Sequence, residues 1–215
     1  YTVFELDSIT AQEKNILSQY DKVLVASNFT KQVFEAQGLN AGVAPNFYDS
    51  RVFSKVNAPR KGLEDTQIFG LFGKMEKRKR TADIVKAWIT RFGGDSKYRL
   101  NCHIFNGFLM NGYKVAPKDY AVAHKQLLEN AIGTKIPWNV NFLNFLNKEE
   151  YNLAVNVIDI DLSGLSGGEG FNLPCFHSRA LGKRGVVLNA HAHRDYCDNE
   201  NSVLIEPNGK EDAAD

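Results

Sequence analysis

Glu169 stands inside a glycine cluster, in "GGEGFNLPCFHSRALG" at residues 167–182, directly ahead of a stretch that reads as a helix ending at Gly182. Gly167, Gly168 and Gly170 let a backbone approach a ligand closely, Pro174 suits a first helical turn, and Gly182 suits a left-handed stop. Amides exposed at such a helix start attract anions or partial negative charge. A carboxylate among them can accept hydroxyl hydrogens from a polar ligand, or it can simply cap the helix. A second cluster, Lys74, Lys77, Arg78, Lys79 and Arg80 in "GKMEKRKRTAD", lies between a predicted strand and a predicted helix start. Cations there oppose the helix dipole, and an anion bound between them would remove the conflict, which points to phosphate. The plainer alternative is a solvated basic turn or nucleic-acid patch, but no aromatic platform is interleaved with the charges. Neither loop has the glycine spacing of a Walker motif or a dinucleotide fingerprint, which argues against a nicotinamide cofactor.

The elements that must position these loops are legible from periodicity. "KVLVAS" reads as a strand, "NFTKQVFEAQG" as a helix capped by Ser27 or Asn28 and stopped at Gly38, and "AGVAPN" as a short strand. "YDSRVFSKVNAPRKGLEDT" has little periodicity and reads as a linker. "QIFGLFG" is a strand, and Ile84, Val85, Trp88, Ile89 and Phe92 form the apolar stripe of a helix that starts near Thr81. "RLNCHIF" is a strand, Tyr120, Leu127, Leu128 and Ala131 mark a helix, and "NVNFLNFL" is a strand. "NKEEYNLAVNVID" is a helix with Asn147 and Glu150 at capping-box spacing, and "IDLSGLS", "GVVLNA" and "SVLIEP" are further strands. Alternation of this kind predicts an α/β fold, a parallel sheet with helices on both faces, whose ligands sit at the carboxyl ends of the strands.

Composition bounds the function. The chain has 215 residues, 43% hydrophobic and 24% charged, enough for one sizeable core or one core plus part of another. A net charge of +1 gives no global attraction to nucleic acid or membrane. No apolar run reaches the roughly 20 residues of a membrane span, and no signal peptide is visible. Cys102, Cys175 and Cys197 lack metal-like spacing and fit a reducing, cytoplasmic setting. The start at Tyr1 and the closing "GKEDAAD", which looks like the opening turn of another helix, suggest a fragment of a longer protein.

At this point the motifs resemble a family. "FGLFGKMEKRKRTADIVKAW", followed by "IDIDLSGLSGGEGFNLPCFHSRALGKRGVVLNA", is similar to the donor half of retaining GT-B glycosyltransferases, the glycogen-synthase-like and sucrose-synthase-like group that includes glycosyltransferase family four. The upstream "FELDSITAQEKNILSQYDKVLVASNFTKQVFEAQGLNAGVAPNFYDSRVF" looks like that group's crossing between domains. The resemblance implies a Rossmann-like donor domain over residues 67–215, a linker over 51–66, and the end of an acceptor-side domain over 1–50. It implies a nucleotide-sugar donor such as a UDP- or GDP-sugar, no obligatory metal, an unspecified carbohydrate or other acceptor, and hexosyl transfer with retained configuration. Lys74 and Lys79 would hold the donor phosphates with Arg78 beside them, and Glu169 would meet the donor sugar. The amides of Gly170, Phe171, Asn172 and Leu173 would face sugar and phosphate. One position departs from the pattern: where the family carries a second glutamate that binds the ribose, this chain has His177. Imidazole can bond a hydroxyl but offers no pair of oxygens. It can also be a histidine satisfied within its helix. This departure motivates an alternative, a catalytically silent nucleotide-sugar-binding or assembly module. A phosphorylase or epimerase on the same architecture is a third reading.

Three weaker groupings remain. His191, His193 and Asp195 in "NAHAHRDYC" read as a polar rim or plain surface before a metal site. Phe105, Phe108, Leu109, Met110 and Tyr113 read as core packing or a hairpin, with Asn106 and Gly107 candidates for a nucleotide pocket. Glu5 and Asp7 read as structural.

Overall fold

The computed structural model describes residues 1–210, the side chain of Leu109 apart. The helix expected to open within "GKEDAAD" therefore lies largely outside the described residues. Two parallel sheets organise the chain. The smaller contains α1 (Ala11–Leu17), β1 (Val23–Val25), α2 (Asn28–Ala36) and β2 (Ala41–Val43), with β1 paired to β2. Ser27 caps α2, its hydroxyl accepting from the Thr30 amide at 3.3 Å. Val23, Val25, Phe34, Leu39 and Ala41 form its buried core.

The larger sheet begins at β3 (Gln67–Gly73) and continues through α3 (Thr81–Phe92), β4 (Tyr98–Ile104), α4 (Gly107–Gly112), α5 (Tyr120–Ile132), β5 (Val140–Phe142), α6 (Lys148–Val157), β6 (Ile160–Asp161), α7 (Leu173–Ala180), β7 (Arg184–Leu188) and β8 (Ser202–Ile205). Its strand order is β5-β4-β3-β6-β7-β8, every pairing parallel. Helices connect the central parallel strands and cover both faces there, so the residues of β3 divide between two cores. On β3 the split is clean. Phe69 and Leu71 pack with Ile84, Val85 and Trp88 of α3 and Leu128 of α5, while Ile68 and Phe72 pack with Val155 and Ile158 beside α6. Gly70 keeps the second face close: a Cβ there would lie 2.7 Å from the Ile158 side chain.

The order reverses between β3 and β6. Chain progress runs from β3 outward to β5, then returns to the other side of β3. This is the Rossmann-like α/β arrangement, and its switch point is where such sheets hold ligands.

Local signals act as expected at Asn147, whose side chain accepts from the Glu150 amide at 2.9 Å while Glu150 accepts from the Asn147 amide at 2.9 Å. Residues 51–66 carry no helix or strand, yet they are pinned to α6. Ser54 and Val56 amides donate to Asn152 and Asn156 side chains at 3.2 and 3.1 Å, and Arg60 pairs with Asp159 at 2.6 Å.

Several expectations need correction. "NVNFLNFL" supplies a strand of only three residues, Val140–Phe142, and "IDLSGLS" gives two strand residues before a 3-10 turn at Ser163–Leu165. The segment read as core packing or a hairpin is helix α4, with Met110 buried and Phe108 and Tyr113 exposed; Leu109's side chain lies outside the described part. The helix marked by Tyr120, Leu127, Leu128 and Ala131 is present as α5; its inward stripe is Tyr120, His124, Leu128 and Ile132, a helical spacing that leaves Ala131 in solvent. No helix among the described residues is long and apolar enough to cross a membrane.

Candidate functional site

Both chemical loops leave the carboxyl ends of neighbouring strands. The first follows β3 and forms a 3-10 turn, Lys77–Lys79, before Arg80 takes a left-handed conformation (φ 52°) and α3 begins at Thr81. The second follows β6 and runs from Ser166 to the α7 N-cap, Asn172 (φ 64°), whose side chain accepts from the Cys175 amide at 3.3 Å. Because β3 and β6 pair directly, the loops touch. The Arg78 carbonyl accepts from the Gly167 amide at 3.0 Å, and the Arg78 guanidinium donates to the Gly168 carbonyl at 2.7 Å.

The two clusters meet at Glu169. Its residue is 1% exposed, and its carboxylate is held by the Lys79 ammonium and by the Ser166 hydroxyl at 2.6 Å, with Arg78 3.7 Å away. A carboxylate this deeply buried is stable only when paired and hydrogen-bonded, and both conditions hold. Arg78 also pairs with Glu76 at 2.8 Å and Glu5 at 2.6 Å. Burial raises the Glu5 carboxyl above its ordinary value, with Arg78 opposing and Glu169 reinforcing the shift. Lys74 is the more open cation, 3.5 Å from Glu76, and Arg80 pairs with Asp83 at 2.8 Å. The basic run thus has carboxylate partners within the protein, where its sequence suggested that an anion was needed.

The amides expected beside Glu169 are present in mixed surroundings. Gly170, Phe171 and Asn172 are buried and Leu173 is exposed. No backbone acceptor among the described residues takes the N–H of any of the four, so the run keeps the donor capacity of a helix start. Gly170 lies directly under the N-terminal segment: a Cβ there would stand 2.2 Å from the Phe4 carbonyl oxygen. This contact and the Glu5–Arg78 pair bring residues 4 and 5 into the site. Glu5, read from sequence as structural, therefore joins the charged cluster; no local spacing links it to Arg78. Asp7 instead pairs with Lys210 at 2.6 Å near the surface.

His177 lies on α7 and stacks on Phe53, ring centroids 4.0 Å apart, with Tyr151 edge-on at 6.1 Å. Burial pushes its imidazole down to about 4, so the ring is neutral near pH 7, and its Nδ1 has no hydrogen-bond partner among the described residues. Asn106 donates to the Met75 carbonyl at 3.0 Å, tying the end of β4 to the basic loop.

The "NAHAHRDYC" stretch forms a 3-10 turn, His191–Asp195, after β7. His193 is fully buried, contrary to the rim or surface expected of it, and His191 is partly buried with Phe29 edge-on at 4.7 Å. Asp195 accepts from the Asn28 amide at 2.8 Å, so this turn also meets the start of α2.

Over 92% of this chain and 48% of the other, it superposes on sucrose-phosphate synthase from Thermosynechococcus elongatus with TM-score 0.71 at 18% identity. HepE of Anabaena, solved with UDP and glucose, matches over 92% of this chain and 53% of its own with TM-score 0.67 at 15% identity. The C-terminal domain of the group 1 glycosyl transferase LpcC from Francisella tularensis matches over 75% of this chain and 81% of its own, TM-score 0.54, identity 22%. The chain has the Rossmann-like α/β fold of GT-B glycosyltransferase domains, and it spans about half the length of the sucrose-phosphate synthase and HepE chains. No family profile and no curated protein matches its sequence.

Proposed function

We propose that this chain is the donor-binding half of a glycosyltransferase that moves a sugar from a nucleoside-diphosphate sugar to an acceptor with retention of anomeric configuration. The observation that carries the reading is the meeting of Lys79, Arg78 and Glu169 at the switch point between β3 and β6, in a fold shared with glycosyltransferases of which one holds UDP and glucose. Breaking the bond between sugar and diphosphate leaves negative charge on the diphosphate. Cations already fixed beside it lower that barrier without a metal. Lys79, Lys74 and the amides of residues 170–173 are the groups for this task, and Glu169 accepts from hydroxyls of the sugar. A donor phosphate entering the site exchanges with Glu169 for the Lys79 ammonium, leaving the Glu169 carboxylate to the Ser166 hydroxyl, the nearby Arg78 and the hydroxyls of the donor sugar. Residues 1–50 are read as the end of the acceptor-side domain, 51–66 as the linker, and 67–215 as the donor domain. Turnover is accordingly expected of a complete two-domain protein, and donor binding of this chain.

The test is direct. Lys74 is exposed and its partner Glu76 also has Arg78, so Lys74→Ala should fold normally. It should weaken UDP, GDP or ADP binding, whichever the wild type prefers, by about tenfold, the size of one charge-assisted hydrogen bond. Unchanged affinity would remove Lys74 from the phosphate site.

A further inference from the structure

A fully buried imidazole is costly unless its polar atoms are satisfied, so the two partners of His193 show what it is for. Its Nδ1 lies 3.2 Å from the Leu188 carbonyl at the end of β7, and its Nε2 lies 2.8 Å from Asn172 Nδ2. A carbonyl only accepts, so Nδ1 carries the proton and Nε2 accepts from the Asn172 amide. Burial pushes this ring down to about 4, which keeps it neutral as that arrangement requires. Asn172 Nδ2 also donates to the Ser163 carbonyl at 2.9 Å and to the Ser166 hydroxyl oxygen at 3.0 Å. One of its hydrogens goes to His193 and the other is shared between these two oxygens. Ser166 has one proton and two candidate acceptors, the Ser163 carbonyl at 3.1 Å and Glu169 Oε1 at 2.6 Å. The Glu169 carboxylate is the nearer and the charged acceptor, and Asn172 already donates to the Ser163 carbonyl and to a lone pair of the Ser166 oxygen, so the Ser166 proton goes to Glu169.

The same turn holds the backbone of the loop. The Ala192 amide donates to the Glu169 carbonyl at 3.2 Å, and the Tyr196 hydroxyl donates to the Phe171 carbonyl at 2.6 Å. These two links hold the backbone of the loop, and the side-chain links from His193 through Asn172 and Ser166 lead to the Glu169 carboxylate.

We infer that His193 is a positioning residue for Glu169, acting through Asn172 and Ser166 to fix the carboxylate that orients the donor sugar. This rests on the donor-site reading. The relay fixes a direction for Glu169 Oε1 that survives the loss of its Lys79 partner to an incoming phosphate, so the sugar meets a carboxylate already aimed. Its side-chain links make no contact with the diphosphate, which is left to the cations and to the backbone amides of residues 170–173.

The experiment compares His193→Phe, which keeps a ring but loses the acceptor, with His193→Gln, whose amide oxygen can take the place of Nε2, and with Ser166→Ala, which removes only the last link. Calorimetry would be run with UDP, GDP and ADP and with their glucose forms. The relay predicts that His193→Phe and Ser166→Ala lose about tenfold in affinity for the sugar form while keeping the bare diphosphate within about twofold, and that His193→Gln stays close to wild type. A purely structural role would weaken both ligands together, and that outcome, or wild-type sugar binding in Ser166→Ala, overturns the inference. Amide hydrogen exchange over residues 166–169, ahead of the amides assigned to the diphosphate, gives a readout free of the ligand. Exchange there should be about tenfold faster in His193→Phe and unchanged in β3 and β4, and unaltered loop exchange contradicts the relay. If the wild type gains nothing from the sugar, the donor reading falls, and loop exchange decides the relay by itself.

Discussion

Lys79→Ala should destabilise the chain by about 3 kcal/mol, because it leaves the buried Glu169 carboxylate without its principal cation. The figure sits at the low end for a broken buried pair since Arg78, 3.7 Å away, supplies partial compensation. Adding Glu169→Gln to the same chain should restore at least half of the loss. The amide still accepts from Ser166 and no charge is left unpaired. Urea denaturation of wild type, single and double variants at pH 7 makes the comparison. A single variant as stable as wild type would mean that Glu169 reaches water or another cation in solution, and the compact charged cluster would not describe the resting site.

Acid should weaken the fold steeply between about pH 6.5 and pH 4. His103, His177 and His193 are each pushed by burial from 6.5 down to about 4. In that interval the unfolded chain binds protons that the folded chain refuses, so the stabilising contribution is present above 6.5 and is lost as pH falls. One such histidine contributes about 1.4 kcal/mol per pH unit. Three approach about 4 kcal/mol per unit at the steepest, reduced by the water that still reaches His103 and His177. Asp161 and Glu5 run the other way. Burial raises both, so their contribution is present at low pH and lost as pH rises through their folded values, which softens the acid end of the fall. Urea midpoints measured from pH 7 to pH 4.5 check this, and His177→Phe should remove about a third of the slope. A flat midpoint over that range would show that these rings are solvated.

The order of layers was readable from sequence because β3, α3 and α6 carry their own instructions. β3 is a continuous apolar run, α3 has a complete stripe from Ile84 to Phe92, and α6 has both halves of a capping box. Short strands were harder, since three residues at β5 and two at β6 are too few to establish a period and are fixed by pairing with β4 and β3. α4 is not legible because its two glycines and the exposed Phe108 hide a helical turn. In the site, Glu169 and the basic loop were visible as chemistry, but their direct pairing was not: Lys79 and Glu169 are 90 residues apart, and only the β3–β6 pairing joins them. The Glu5–Arg78 pair and the burial of His193 are illegible for the same reason. Glu5 and His193 each reach the site from a segment whose own sequence signals only a loop, and the signal that could have raised His193 is its position just past a predicted strand at the ligand-bearing edge.

The central claim is that Glu169 serves the sugar and its cationic neighbours serve the diphosphate. The most direct measurement is calorimetric titration of this chain, in the presence of a chelator, with UDP, GDP and ADP and then with the corresponding nucleotide-sugars, on wild type and on Glu169→Gln. The account predicts that one diphosphate binds despite the chelator and that its sugar form binds about tenfold more tightly to wild type, a gain that Glu169→Gln abolishes without weakening the bare diphosphate, for which Lys79 is then released. Binding of no nucleotide, or an equal loss for diphosphate and nucleotide-sugar in Glu169→Gln, would contradict it.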